Sequence, residues 1–327
     1  MSTKPKAIID CDTGSDDAVA LMLAVKSGKY DILGITTTHG NLPVKYTTEN
    51  TLRVLELLGA QHIPVYSGCN EGMTKLMLPG RMINPNITPI AKIIDGKEVA
   101  IHDKELALPK ATAIAQKKHA CVYLLETLRE ATEKITLITL GPVTNVGMVL
   151  RMDPSVAENI EEIVCMGGGV HQSNKSIAAE SNFFNDPEAA KLLLECGAKV
   201  TVIPLDATKS VSFNHDDAAR IRAVGTPAAE FAADLVDHRV TTGQILGLSK
   251  KAEDPLHDAL VVAYLLDPTV ITELWHKPLD IEIGGGKADG QLLCDVRDAG
   301  VQQYPQYVAM KGDKEKYLQI LCEHLAK

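Results

Sequence analysis

Short apolar runs alternate with segments of helical spacing along most of the chain. Ala7-Ile8-Ile9 ends at Asp10, and Ala18 to Val25 then presents an apolar face with helical periodicity. Ile32 to Thr37 reads as a second strand, followed by a helix over Thr48 to Leu58. The pattern recurs with strand Ile135 to Leu140 and helix Val143 to Leu150, and then with strand Ile163 to Met166. Helix Pro187 to Cys196 and strand Val200 to Pro204 follow. Continuous apolar strands need cover on both faces, and strands alternating with helices give parallel pairing. The expected fold class is therefore α/β, an open and mostly parallel central sheet flanked by helices. Ligands of such sheets bind at the carboxyl ends of the strands. The residues to inspect there are Asp10-Cys11-Asp12, Thr38-His39-Gly40-Asn41, Leu140-Gly141-Pro142 and Met166-Gly167-Gly168-Gly169.

Two stretches break the rhythm. Gly72 to Pro109 is rich in proline, glycine and polar residues and too long for an ordinary connection, which marks it as a loop or lid insertion. Pro85 to Pro89 belongs to that lid. Ala228 to Leu248 reads as a helical span leading into Asp254-Pro255-Leu256-His257-Asp258. No linker-like composition divides the chain and no internal repeat is present, so residues 1–327 form one domain in this reading.

Composition narrows the partners. Hydrophobic residues make up 45% and charged residues 23%, enough for a core beneath an ordinary polar surface, while aromatics at 4% leave the packing to aliphatic side chains. A net charge of −9 argues against a nucleic-acid backbone as partner and is compatible with a cation and a neutral small molecule. The seven cysteines are scattered, with no CxxC pair, which predicts neither a disulfide framework nor a zinc knuckle and fits a reducing compartment. No apolar run is long enough for a bilayer span, and a strand begins within a few residues of Met1, so a cytoplasmic protein is expected.

The chemistry concentrates after the first strand. Asp10-Cys11-Asp12-Thr13-Gly14-Ser15-Asp16-Asp17 places four carboxylates in eight residues. Adjacent carboxylates raise one another's pKa, and a hard cation relieves the repulsion; an all-oxygen donor set selects calcium or magnesium over zinc. Gly14 permits the tight curvature that lets Asp12 and Asp17 face one point. A helix N-terminus alone accounts for Asp16 and Asp17, but not for Asp10 and Asp12. An EF-hand loop starting at Asp10 needs glycine at its sixth position and glutamate at its twelfth, where this chain has Ser15 and Leu21. The segment also resembles the first motif of magnesium-dependent haloacid-dehalogenase-type phosphohydrolases, which would make Asp10 a nucleophile and Asp12 the acid/base. Gly14 departs from the Thr or Val usual there.

The whole string followed by Ala18 resembles the signature of the inosine-uridine-type nucleoside hydrolase family. Further matches come in chain order: Ile35 to Asn41, Leu140-Gly141-Pro142-Val143-Thr144-Asn145, Met166-Gly167-Gly168-Gly169 with Asn174, Glu180 and Asn182, Asp186-Pro187-Glu188, and His257-Asp258 with Asp267-Pro268. They span most of the chain. The resemblance implies hydrolysis of the N-glycosidic bond of ribonucleosides, with Ca2+ held by Asp12, Asp17, Asp258 and the backbone carbonyl of Leu140, where the family usually has Thr. It makes Asp12 the general base on the attacking water and Asp10 a support for the cluster. It assigns substrate contacts to Asp16, Asn41, Met166, Asn174, Glu180, Asn182 and Asp258. His257, beside Asp258, becomes the candidate acid for the leaving base. Relatives of this kind are homodimers or homotetramers.

Departures bear on the base. The span His238 to Leu248 lacks the aromatics that broad-specificity relatives carry, and Trp275 lies beyond the ligand helix. The mobile-loop His-Gly pattern survives as Ile101-His102, with Asp103 in place of Gly. Retention of His257 favours 6-oxopurine nucleosides, inosine and guanosine, and a role in purine salvage. Elsewhere, Gly284-Gly285-Gly286 reads as a turn between two strands, and Lys117-Lys118-His119 and Lys311 to Lys316 as solvated faces. Cys11, between two carboxylates, is expected to keep its thiol protonated.

Overall fold

The computed structural model describes residues 4–78, 81, 91–249, 251–297 and 305–327. In chain order the strands begin with β1 (Lys6–Cys11), β2 (Asp31–Thr37), β3 (Val65–Ser67), β4 (Ala91–Ile94), β5 (Lys97–Ala100) and β6 (Ile135–Thr139). They continue with β7 (Ile160–Met166), β8 (Val200–Ile203), β9 (Ile271–His276), β10 (Leu279–Ile281), β11 (Leu292–Cys294) and β12 (Gln306–Gly312). The helices begin with α1 (Ser15–Ser27), α2 (Val44–Leu57), α3 (Ala120–Arg129), α4 (Thr144–Met152), α5 (Ser181–Asn185) and α6 (Pro187–Leu194). After them come α7 (Leu205–Lys209), α8 (His215–Arg222), α9 (Pro227–Leu246), α10 (His257–Leu266) and α11 (Lys314–Leu325).

Eight strands form the central sheet in the order β3-β2-β1-β6-β7-β8-β12-β9. The pairs are parallel except β12 with β9, which run antiparallel. The expected α/β architecture is therefore the observed one. Side chains alternate across β1: Ala7, Ile9 and Cys11 enter the core beneath α1, α9, α10 and α11, while Ile8 packs on the opposite side with α3, α4 and α6. Both faces are covered, which is why the strands read as unbroken apolar runs rather than alternating ones. Winding proceeds from β1 outward to β2 and β3, then resumes on the other side of β1 with β6. That reversal opens a crevice between the carboxyl ends of β1 and β6, where open α/β sheets bind ligands.

Several boundaries moved. The first helix starts at Ser15 rather than Ala18, because the Asp17 carboxylate accepts the amides of Gly14 (2.9 Å) and Asp12 (3.2 Å) and closes the first turn. The second starts at Val44, behind Pro43, and the helix before β8 stops at Leu194. The stretch Gly72 to Pro109 is not all irregular, because β4 and β5 pair antiparallel within it around Asp95-Gly96. Both turn residues have positive φ (49° and 78°), the geometry that Asp-Gly supplies in two-residue hairpins. Pro85 to Pro89 lies outside the described residues. Gly284 to Gly286 falls in the connection of the antiparallel pair β10–β11, as read. All seven cysteines are free, with the Cys69 and Cys121 sulfurs 3.6 Å apart. No helix among the described residues is long and apolar enough to cross a membrane.

Candidate active site

Two helix N-termini converge on the crevice. α1 brings Asp16 and Asp17 in its first turn, and α10 brings Asp258 in its own. Partial positive charge at a helix N-terminus favours carboxylates there, which is one reason acidic side chains are tolerated at such depth. Asp12, Asp16, Asp17 and Asp258 are all buried. Among the described residues, Asp16, Asp17 and Asp258 offer oxygens that all lie within 4.8 Å of one another. Asp12 sits beside them: its Oδ2 accepts the Asn41 amide at 2.6 Å, and its Oδ1 is buried without a hydrogen-bond partner. Gly141 makes room for it, since a Cβ at that position would stand 2.5 Å from Oδ1.

Burial dominates the protonation equilibria. Desolvation raises Asp17 to about 6, with Asp16 adding repulsion, and it pushes Asp12 and Asp258 well above the ordinary carboxylate range. An orphaned carboxylate oxygen beside three clustered carboxylates is the donor set a hard cation satisfies. The Leu140 carbonyl lies at the same strand end and accepts from Asn182 Nδ2 at 2.8 Å; a carbonyl's second lone pair leaves it free to ligate as well.

Above the carboxylates opens a cavity of about 590 Å3. Of the residues singled out from sequence, Asp16, Asn41, Leu140, Met166 and Asn174 line it, as do Glu180, Asn182, His257 and Asp258. Asp12 and Asp17 lie one layer deeper, in contact with Asn41 through its backbone amide and its side chain respectively. Asn182 ties the ends of β6 and β7 together through the carbonyls of Leu140 and Met166. Glu180 caps α5, accepting the amides of Asn182, Phe183 and Gly168, and burial still raises it to about 7. Asn174 accepts the Ser181 amide at 3.0 Å.

His257 bonds through Nδ1 to Thr208 Oγ1 at 2.7 Å, and desolvation drives its pKa down to about 3. It is neutral at physiological pH, so it holds no spare proton until negative charge develops on a neighbour. Asp10 does not line the cavity; its Oδ1 accepts from Thr36 Oγ1 (2.6 Å) and Asn145 Nδ2 (2.8 Å), and its Oδ2 is buried without a partner.

Sequence reasoning missed Arg239 and gave His102 no role. Arg239 projects from the middle of α9 into the cavity wall and pairs with Asp16. Its signal was weak, because a single arginine on a long helix carries no motif. His102 follows β5 and lies against the start of α1, where Ser15 N approaches its Nδ1 at 3.3 Å. Gly14 is needed chiefly because a Cβ there would overlap the His102 ring, not only for curvature.

The family model described as inosine-uridine preferring nucleoside hydrolase matches residues 7–319. The pyrimidine-specific ribonucleoside hydrolase RihA of Escherichia coli O7:K1 is 32% identical over 325 residues, covering 97% of each chain. RihB of Escherichia coli strain SE11, also described as pyrimidine-specific, is 33% identical over 293 residues, 89% of this chain and 88% of its own. Among solved structures, a purine-preferring ribonucleoside hydrolase from Gardnerella vaginalis superposes with a TM-score of 0.82 at 26% identity, covering 98% of both chains.

Proposed function

Because the chain belongs to the inosine-uridine preferring nucleoside hydrolase family and is a ribonucleoside hydrolase, we propose that it is a calcium enzyme acting on pyrimidine ribonucleosides before purine ones. The observation that carries the site assignment is the cluster of Asp16, Asp17 and Asp258 at the cavity by the β1–β6 crevice, with the unpartnered, buried Oδ1 of Asp12 beside it. Asp17, Asp258, Asp12 and the Leu140 carbonyl would hold the cation. Calcium bound there supplies charge that offsets the carboxylates and makes a neighbouring water easier to deprotonate.

The chain's own residues do the rest. Asp12 Oδ1, the oxygen without a partner, accepts the proton of the attacking water. Asn41, Asp16, Asn174, Glu180 and Asn182 orient the ribose through its hydroxyls, and Met166 borders it. As the glycosidic bond breaks, positive charge grows on the sugar, and the buried carboxylates stabilise it. Electron density moves to the base, and the neutral His257 imidazole meets it as a hydrogen-bond donor. The hairpin β4–β5, which leads Ile101 and His102 to the cavity wall, covers the base end.

Base preference rests on two supports. Relatives at 32–33% identity over most of the chain are described as pyrimidine-specific. Among the described residues, none that lines the cavity is Tyr, Phe or Trp, side chains that could sandwich a purine. The sequence-based lean toward inosine and guanosine rested on His257, and the purine-preferring fold neighbour keeps it as the second reading. The test is ribose release from uridine, cytidine, inosine, guanosine and adenosine, with and without prior chelation. Chelator-sensitive release led by uridine or cytidine is expected. Release led by inosine or guanosine would restore the purine reading, and release indifferent to chelation would remove the cation from the chemistry.

A further inference from the structure

One buried cation at the cavity has no task in the scheme above. The Arg239 side chain is 5% exposed, and its Nη1 donates to Asp16 Oδ1 at 3.1 Å and to Ser15 Oγ at 3.0 Å. Nε and Nη2 both reach Asp254 Oδ1, each at 2.8 Å. A single planar guanidinium thus joins the first turn of α1 to the segment that leads into His257 and Asp258. Lysine, a point charge, cannot serve those directions at once.

The pairing separates two groups that proximity alone would merge. Oxygens of Asp16, Asp17 and Asp258 all lie within 4.8 Å of one another, so a cation among them could collect all three. Arg239 occupies one oxygen of Asp16 and supplies that carboxylate with its own counter-charge. Four buried carboxylates then divide into one paired with arginine and three left to face the cation.

We propose that Arg239 is a positioning residue that reserves Asp16 for substrate, holding its carboxylate out of the cation's ligand set and aiming the remaining oxygen at a ribose hydroxyl. This rests on the reading that the cavity binds ribose beside a cation. Asp16 is then a recognition group with fixed orientation, and Arg239 acts through it without touching the reacting atoms.

The experiment uses the full-length protein, with Tb3+ luminescence as the cation probe and steady-state kinetics at saturating Ca2+. R239Q is expected to raise KM and lower kcat/KM by roughly 100-fold while binding Tb3+ several-fold more tightly, because Asp16 is released to the cation. The tightening disappears in R239Q/D16N, and the kinetic loss of that double variant is no greater than that of D16N alone. D16N in the wild-type background keeps Tb3+ affinity within about threefold, a test that stands even where R239Q fails to fold. R239K, with charge but no fork, recovers only part of the KM.

A purely structural arginine predicts something else: a lower Tm, unchanged KM, unchanged Tb3+ affinity and losses additive with D16N. That set of results, or a loss of Tb3+ affinity above about tenfold in D16N, overturns the proposal. A wild-type protein that releases no ribose from any nucleoside overturns the underlying reading instead, whereas an active wild type whose KM and Tb3+ affinity are unchanged in R239Q overturns only the role of Arg239.

Discussion

Asn145 Nδ2 donates to Asp10 Oδ1 at 2.8 Å, across 135 residues of sequence, and so fixes a carboxylate whose partner strand ends beside Asp12. The same amide reaches the Thr37 carbonyl at 3.0 Å, stitching the ends of β1, β2 and α4 together. Asp10 is therefore a structural support. Asn145→Ala leaves two buried acceptors short of a donor and is expected to cost about 2 kcal/mol, read as a shift in the denaturation midpoint. Asp10→Asn should reduce kcat far less than Asp12→Asn, which on the proposed mechanism removes the base and is expected to cost roughly 1,000-fold. Equal losses at the two positions would contradict the assignment.

Gly141 tests the geometry from the other side. Gly141→Ala would place its Cβ 2.5 Å from Asp12 Oδ1, and the carboxylate must move. The variant should fold with a loss of about 1–3 kcal/mol, typical of overpacking, while kcat falls much more than that stability change suggests. Near-normal kcat in a folded Gly141→Ala would show that Asp12 need not sit where it does.

Proton linkage gives a third prediction. Burial raises Asp17 to about 6 and Asp10 and Glu180 to about 7, above their values in the unfolded chain. Without a cation the folded state binds these protons more tightly than the unfolded one. Their stabilising contribution is therefore complete below about pH 4 and is lost as pH rises through 6–7. A cation that displaces protons at Asp17 should stabilise more at pH 8 than at pH 5. Thermal melts in excess Ca2+ and in chelator should differ by roughly 5 °C at pH 8, and by clearly less at pH 5. An identical shift at both values would mean that the carboxylates are not the binding groups.

His257 is expected to matter in proportion to the basicity of the leaving group. His257→Ala should slow natural nucleosides by roughly 100-fold or more, yet barely affect a riboside whose leaving group departs unassisted as an anion. Because its pKa is driven down to about 3, no limb of the kcat profile between pH 5 and 8 should vanish in the variant. Loss of such a limb would instead make His257 the group that titrates there.

The hairpin β4–β5 contacts α9 through Lys92 Nζ on the Leu246 carbonyl (2.8 Å) and through His238 on the Ala100 carbonyl (3.0 Å). If it covers the base end, amide hydrogen exchange across residues 91–102 should slow when a non-hydrolysed nucleoside analogue binds. Unchanged exchange there, with protection appearing around Asn41 and Asn182, would make it a fixed wall.

Local rules made much of this protein legible before any coordinates. Unbroken apolar runs and period-3.6 patterns are set over a few residues, so β1, β2, β6, β7 and β8 and the helices after them could be read directly, as could their parallel arrangement. The strand-end rule then selected Asp12, Asn41, Leu140 and Met166. The Asp95-Gly96 turn was equally local and was passed over because the surrounding residues lacked periodicity. What the tertiary structure alone decided was which charges meet. Arg239 and Asp16 are 223 residues apart, and their contact depends on how α9 crosses the start of α1. The burial that neutralises His257 and the contacts of Asp10 with Thr36 and Asn145 likewise arise from packing around the crevice, because desolvation and hydrogen bonding act through space and leave no periodic trace in the chain.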